Sequence, residues 1–230
     1  KENGVKKYVL ASSASIYGQQ KTIANENSIV NPLTAYSKAN RKAEEDILKL
    51  NDKDFTTTAL RFSSIYGISH RMRFDLAVNS MVLDLFQNDK ITIFGKNNKR
   101  PFVHIKDAIQ AYLKIISAPK EKIGGEIFNV GSKEQNFTIF DLANKVKNSI
   151  SPNSELLAQD TPDNRSYFGS FEKIEKTLDF KTHFTVEDAS LEIFNSLRDR
   201  TLNHDLKTIT VKWYKHILEN NELKPSAVFS

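Results

Sequence analysis

The 230-residue sequence has no cysteine, eight glycines, six prolines, two methionines and one tryptophan. Without cysteine there is no disulfide, no thiolate nucleophile and no thiolate metal site, which fits a reducing compartment. The glycines stand at 4, 18, 67, 95, 124, 125, 131 and 169, and no three of them have the G-x-G-x-x-G spacing of a phosphate loop. No apolar run approaches the ~18 residues of a membrane span and no signal-peptide pattern is present, so a cytoplasmic location and no membrane partner are expected. Lys and Arg number 33 against 28 acids, a net charge of +5, but they form no block of like charge. A nucleic-acid partner is therefore not expected, while small anionic ligands stay open. His70, His104, His183, His204 and His216 show no metal-ligand spacing, so no metal is expected, and His104 in "FVHIKD" reads as a satisfied structural side chain.

What is present is enough for a core: 39% of residues are hydrophobic and 10% aromatic. "VKKYVLASSASIYG" reads as a buried strand ending in small hydroxylated residues. Pro32 and Thr34 precede a helix over about 35–50 whose apolar face is Ala39, Ala43, Ile47 and Leu50. "FTTTALRFSSIYG" is a second β-rich run, so two strands flank one helix in a βαβ unit. "DLAVNSMVLDLFQN" follows as a helix, and "ITIFGKNNKRPFVHI" as two short strands joined by an Asn-containing turn. The run "SHRMR" before that helix reads as a solvated loop. Further expectations are a helix in "KDAIQAYLKIISAP" stopped by Pro119, a short strand in "GEIFNVGS", and a helix in "TIFDLANKVKNSI" capped by Thr138. A short helix in "FEKIEKTLDF" and a helical tail from about 186, interrupted near 203–208, complete the pattern. Alternating strands and helices argue an α/β fold.

In open α/β sheets ligands sit at the C-terminal ends of strands. Ser12, Ser13 and Ser15 end the first strand and Tyr36 begins the next helix, so their side chains can converge on one cleft. A Tyr hydroxyl titrates near ~10, so service as a base at neutral pH needs a neighbouring cation. A Lys four residues on would lie ~40° around the helix, but that position is Asn40. Lys38 and Lys42 lie ~200° and ~240° away and point elsewhere. By spacing alone, the plain reading of Tyr36 is a helix-start aromatic.

Seven segments in fixed order shift that reading: "YVLASSASIYG", "NPLTAYSKANRKAEE", "TALRFSSIYG", "RMRFDLAVN", "ITIFG", "RPFVHIKDA" and "FNVGS". Together they resemble the extended short-chain dehydrogenase/reductase family of nucleotide-sugar epimerases and dehydratases, the UDP-galactose 4-epimerase type above all, from residue 1 to about 190. The resemblance implies the C-terminal portion of a Rossmann-type parallel sheet domain, residues 1–66 and 100–131, with a smaller α/β substrate-binding part, residues 67–99 and 132–230. It also implies NAD as cofactor, a UDP-sugar as substrate and a homodimer formed through the Tyr36 helix. The Gly-rich part that binds the dinucleotide in that family has no counterpart in the sequence, and a strand followed by a Gly-rich loop is expected upstream of Lys1. The 230 residues by themselves are expected not to function alone or to bind NAD measurably.

Carried over by position, Ser13 matches the hydroxyl that hydrogen-bonds the reacting sugar oxygen, Tyr36 the general base, and Asn40 the place of the family lysine. Ser12, Tyr36, Asn40 and Phe62 then face the cofactor. If the lysine lowers the tyrosine pKa by one to two units, its loss leaves roughly 10- to 100-fold less phenolate at neutral pH, a slow enzyme rather than a dead one. Ala14 and Ser15 stand where 4,6-dehydratases carry an Asp-Glu pair, which disfavours dehydration and leaves 4-epimerisation, or oxidation or reduction at that carbon. Arg100 matches an arginine that grips the diphosphate, its plain reading being a surface salt bridge. Asn79 and Ser64 match the diphosphate region, Ser64 where many relatives have Asn, and Thr92 and Phe94 the segment that packs on the base. Asp163, Arg165 and Tyr167 of "DNRSY" sit where the family closes over the nucleotide. A nucleotide-sugar-binding protein without turnover is the alternative.

Overall fold

Two parallel neighbours flank a strand with no exposed residue, and the rest of the fold is arranged around it. A computed structural model of the chain describes residues 1–163 and 165–220; Asn164 of "DNRSY" and residues 221–230 lie outside the described residues. Strand β1 (Lys7–Ser13) leads through a 3-10 turn (Ala14–Tyr17) and a loop to helix α1 (Ala35–Leu48), then to β2 (Thr56–Phe62) and β3 (Ser64–Tyr66). Helix α2 (Ala77–Asn88), β4 (Lys90–Phe94), β5 (Lys99–His104), α3 (Ile105–Ser117), α4 (Lys120–Ile123) and β6 (Glu126–Val130) follow. The chain continues with β7 (Asn136–Thr138), α5 (Ile139–Ile150), β8 (Glu155–Gln159), α6 (Glu172–Leu178), α7 (Val186–Arg198) and α8 (Thr210–Glu219).

The main sheet has the order β1-β2-β6, all parallel. Every residue of β2 is buried, as a central strand covered on both faces demands. Leu60, Phe128, Val130, Ala111, Ile115 and Ile174 form one core between this sheet and α3 and α6. A second core joins α2, α5 and α7 through Val82, Leu142, Val146, Ile193 and neighbours. β3, β5 and β7 make a second sheet, and β4 pairs with β8 in a third. The mixed α/β architecture with parallel sheets is the one expected.

Several local expectations are met for short-range reasons. Thr34 caps α1 in a box with Ser37, Thr138 caps α5 by accepting from the Asp141 N–H, and α3 ends at Ser117, two residues before Pro119. The two strands of "ITIFGKNNKRPFVHI" are joined by their turn as expected, and each pairs elsewhere: β4 runs beside β8, and β5 lies between β3 and β7. One expectation needs correction. The apolar row of α1 is not its buried face; Ser37 and Glu44 are buried while Ala39 and Leu50 are exposed. The buried Glu44 side chain is bonded to Arg61 of β2. The short strands β7 and β8 are elements that periodicity did not reveal. Division of the chain at 66, 99 and 131 stands as a proposal; Tyr66 and Phe102 belong to the second core, and Ile174 and Phe180 of the later segment pack on the main sheet.

Candidate functional site

Ser13 closes β1 at its C-terminal end and caps the 3-10 turn, accepting from the Ser15 N–H at 3.2 Å and donating to Ser15 Oγ at 2.9 Å. Ser15, a neighbour that spacing did not single out as a partner, therefore holds the Ser13 proton. Tyr36 opens α1, which packs on that turn, and the residue is 60% exposed. Asn40 lies one turn on and donates from Nδ2 to the Tyr36 carbonyl at 2.9 Å, leaving Oδ1 as its outward acceptor. Lys42, as expected, points away and pairs with Asp46 at 2.7 Å.

Beneath these groups lies a buried polar row. Ser12, Arg61 and Asn129 are register partners across β1, β2 and β6. Arg61, 1% exposed, donates from Nε and Nη2 to the two carboxylate oxygens of Glu44 at 2.9 and 2.8 Å. Ser12 donates to Glu44 Oε1 at 2.5 Å, so its hydroxyl faces the helix rather than a cleft. The Tyr17 hydroxyl accepts from Arg61 at 2.9 Å and donates to Asn129 Oδ1 at 2.8 Å. Burial alone would lower the Arg61 pKa, but Glu44 and Tyr17 outweigh it and the guanidinium is held above its usual value. Burial pushes the Tyr17 phenol up, which keeps it neutral as a donor. Sequence reasoning gave no role to Glu44 or Arg61; the available signal was a charged residue inside the otherwise uncharged run "TTTALRF".

The ends of β2 and β6 meet beside this row. Phe62 is buried against Tyr112 of α3, ring centroids 5.2 Å apart. The hydroxyls of Ser63 and Ser132 are buried without a hydrogen-bond partner among the described residues. A Cβ on Gly131 would stand 2.5 Å from Ser63 Oγ, so the two strand ends are in close contact.

The expected substrate residues fall in two places. Arg100, at 9% exposure, donates to the carbonyls of Lys99 and Arg165 and to Asp163 Oδ2 at 3.3 Å, and its guanidinium lies 5.7 Å from the Tyr167 ring centroid. Asp163 is also gripped by Arg165, which brings its carboxyl down to about 2. Burial pushes the Tyr167 phenol up to about 12 and lowers Arg100. Bridges from Gln19 to Ser166 and from Ala24 to Gly169 place this segment over the loop that follows β1. Off the C-terminal ends of β4 and β8 lies an open polar cleft of about 330 Å³ that includes Lys96, Asn98, Asp160 and Asp163. Phe94, at the end of β4, is 55% exposed. Thr92 is half-buried and donates its N–H to Asp84 at 2.8 Å. Ser64 starts β3 and is half-buried. Asn79 is turned inward: Oδ1 accepts from the Gly67 N–H at 3.0 Å and Nδ2 donates to the Arg73 carbonyl at 2.9 Å, bracing the loop before α2.

Among the described residues no cluster of metal-ligating side chains occurs and no helix is long and apolar enough to cross a membrane. The model of the NAD dependent epimerase/dehydratase family matches residues 1–131. The "Uncharacterized UDP-glucose epimerase YtcB" of Bacillus subtilis is 28% identical over 138 residues, covering 59% of this chain and 42% of its own length. The "UDP-glucuronate 4-epimerase" of Thermodesulfobacterium geofontis is 25% identical over 195 residues, covering 82% of this chain and 58% of its own length. Among solved structures, MoeE5 in complex with UDP-glucuronic acid and NAD superposes with a TM-score of 0.77 at 20% identity, over 87% of this chain and 67% of that one. This last likeness is one of fold, of Rossmann type. The chain spans about half the length of the relatives it matches.

Proposed function

The chain belongs to the NAD dependent epimerase/dehydratase family, and from that premise we propose that it carries the acid-base and sugar-nucleotide side of an enzyme that inverts a UDP-sugar at C4 through a transient 4-keto sugar. UDP is taken as the nucleotide because the relatives' names print UDP-sugars. The observation that carries the reading is the exposed Tyr36 at the start of α1, packed on the turn that Ser13 caps at the end of β1.

The residues present fit one end of NAD. Tyr36 offers a phenol, Asn40 an amide oxygen, and the unpartnered hydroxyls of Ser63 and Ser132 lie at the same strand ends. Ser12 and Phe62 are buried and contribute support rather than direct contact. No Gly-rich loop for the diphosphate occurs in the sequence, so a titration of the 230-residue chain with NAD is expected to show no measurable binding. When bound, NAD supplies a hydride acceptor and donor.

Tyr36 takes the proton of the C4 hydroxyl and returns it when the alcohol re-forms. Ser13 turns its proton from Ser15 to the same sugar oxygen and so orients it. Asn40 supplies no charge beside the base, so turnover is slow. Arg100 and Arg165 bind the diphosphate, with Ser64 and Asn79 shaping its surroundings, Thr92 and Phe94 pack on the base, and the buried Tyr167 supports Arg100. Ala14 and Ser15 cannot exchange a proton at neutral pH, which disfavours dehydration. A homodimer through the exposed side of α1 belongs to the same reading, and sedimentation of the protein that carries this chain tests it.

A binding protein without turnover is the second reading, favoured by the missing cation at Asn40. Calorimetry with UDP-glucose and UDP-glucuronic acid alongside an epimerase assay separates the two. Interconversion at C4 supports the first, and binding without interconversion supports the second.

A further inference from the structure

We propose that Glu44 is a positioning residue for Tyr36: its buried carboxylate, forked onto Arg61 and bonded to Ser12, sets the rotation of α1 and so the place of the phenol over the end of β1. The proposal rests on the function proposed above for Tyr36 and Ser13.

Three observations carry it. The buried residues of α1 are Ser37 and Glu44, both polar, while its apolar row is left partly in solvent. Apolar contacts are non-directional and tolerate small rotations of a helix; the fork between a carboxylate and a guanidinium is planar and directional. Glu44 contacts two strands at once, because Ser12 and Arg61 are direct register partners on β1 and β2. Ser12 adjoins Ser13 in the chain, so one carboxylate ties the helix that bears the base to the strand that bears its partner. Arg61 is in turn braced by Tyr17, whose hydroxyl reaches Asn129 on β6, so the anchor extends across the whole three-stranded sheet. Arg41, on the solvent side, approaches the same carboxylate at 3.6 Å and closes the arrangement.

Holding Tyr36 matters because a misplacement of about 1 Å at a reacting group costs on the order of 100-fold in rate. A buried ion pair is a poor source of net stability, since an apolar pair of similar volume is often as stable. The two roles can therefore be separated. In the protein that carries this chain, the double variant Glu44→Met/Arg61→Met is expected to keep its Tm within about 5 °C and KM within about twofold, while kcat falls by about tenfold or more. A wild-type kcat in a folded double variant overturns the proposal. Should that variant fail to fold, Ser12→Ala removes the bond to β1 and leaves the ion pair; kcat is expected to fall severalfold at unchanged KM, and an unchanged kcat overturns the proposal.

If the wild-type protein shows no turnover, the functional reading fails first, and positioning is then read without activity. With 13C-labelled tyrosine, the Tyr36 ring signal, assigned by its loss in Tyr36→Phe, is expected to move or broaden in Ser12→Ala. An unchanged Tyr36 signal overturns the proposal.

Discussion

The side-chain amide of Asn40 donates to the main-chain carbonyl of Tyr36, 2.9 Å away, and so ties a neutral group to the turn of α1 that bears the phenol. The lysines on either side do not compensate: Lys38 is exposed on another face, and Lys42 is paired with Asp46. Position 40, one turn on from Tyr36, carries no charge.

Replacing Asn40 with Lys places a positive charge about 40° around the helix from Tyr36. In the protein that carries this chain, Asn40→Lys is expected to raise turnover at neutral pH by about 10- to 100-fold and to move the rising limb of the pH-rate profile downward. A pH-rate profile unchanged in both height and position would refute the electrostatic account.

The Glu44 and Arg61 side chains are out of solvent together, so removing one charge strands the other. Glu44→Gln alone is expected to destabilise the fold by about 3–5 kcal/mol. Replacing both partners by methionine is expected to recover most of that loss. Urea unfolding of the single and double variants measures the difference, and equal losses in both would argue against a buried pair.

His104 makes stability depend on pH. Its Nδ1 accepts from the Lys106 N–H at 3.2 Å and caps α3, while Nε2 is buried without a hydrogen-bond partner among the described residues. Phe184 stacks on the ring at 4.7 Å and Tyr66 meets it edge-on; Glu192, at 3.9 Å, Lys106, Asp107 and Asp188 are the charged groups around it. Burial lowers the His104 pKa below its ordinary value despite the nearby carboxylates. The unfolded chain therefore binds the proton first as pH falls, and stability declines from about pH 6.5 downward until the folded form is protonated too. Thermal unfolding between pH 5 and 7.5 is expected to show this slope, and His104→Asn, which retains a capping acceptor, to flatten it.

A Cβ on Gly131 would meet Ser63 Oγ at 2.5 Å and the Phe171 ring at 2.7 Å, closer than a carbon can sit without one of them moving. Gly131→Ala is expected to cost about 1–3 kcal/mol through overpacking. A thermal midpoint equal to that of the wild type would show that the β2 and β6 ends are looser than this contact implies.

The elements whose signals are local were legible in the chain. Thr34 and Thr138 announce helix starts, Pro119 announces a stop, and "TTTALRF" announces a strand, because each rests on residues a few positions apart. Ser13 lies at the end of a strand and Tyr36 and Asn40 in the helix after it, as the sequence pattern placed them; their roles stand as a proposal. Asn79 shows the limit. Its position was readable, but that both ends of its amide are engaged by Gly67 and Arg73 depends on a loop path that no spacing encodes.

What the sequence by itself determined is most of the inventory and its local form: the longer strands, the helices and their caps, and an asparagine four residues after Tyr36. Only the tertiary structure decided that α1 buries Glu44 rather than its alanines, that β4 pairs with β8 rather than β5, and that Arg100 is already engaged with Asp163. The physical reason is range. Propensity and capping act within a turn, whereas the partner of a buried charge or a strand edge is chosen by groups that the fold brings from tens of residues away, as it brings Arg61 to Glu44.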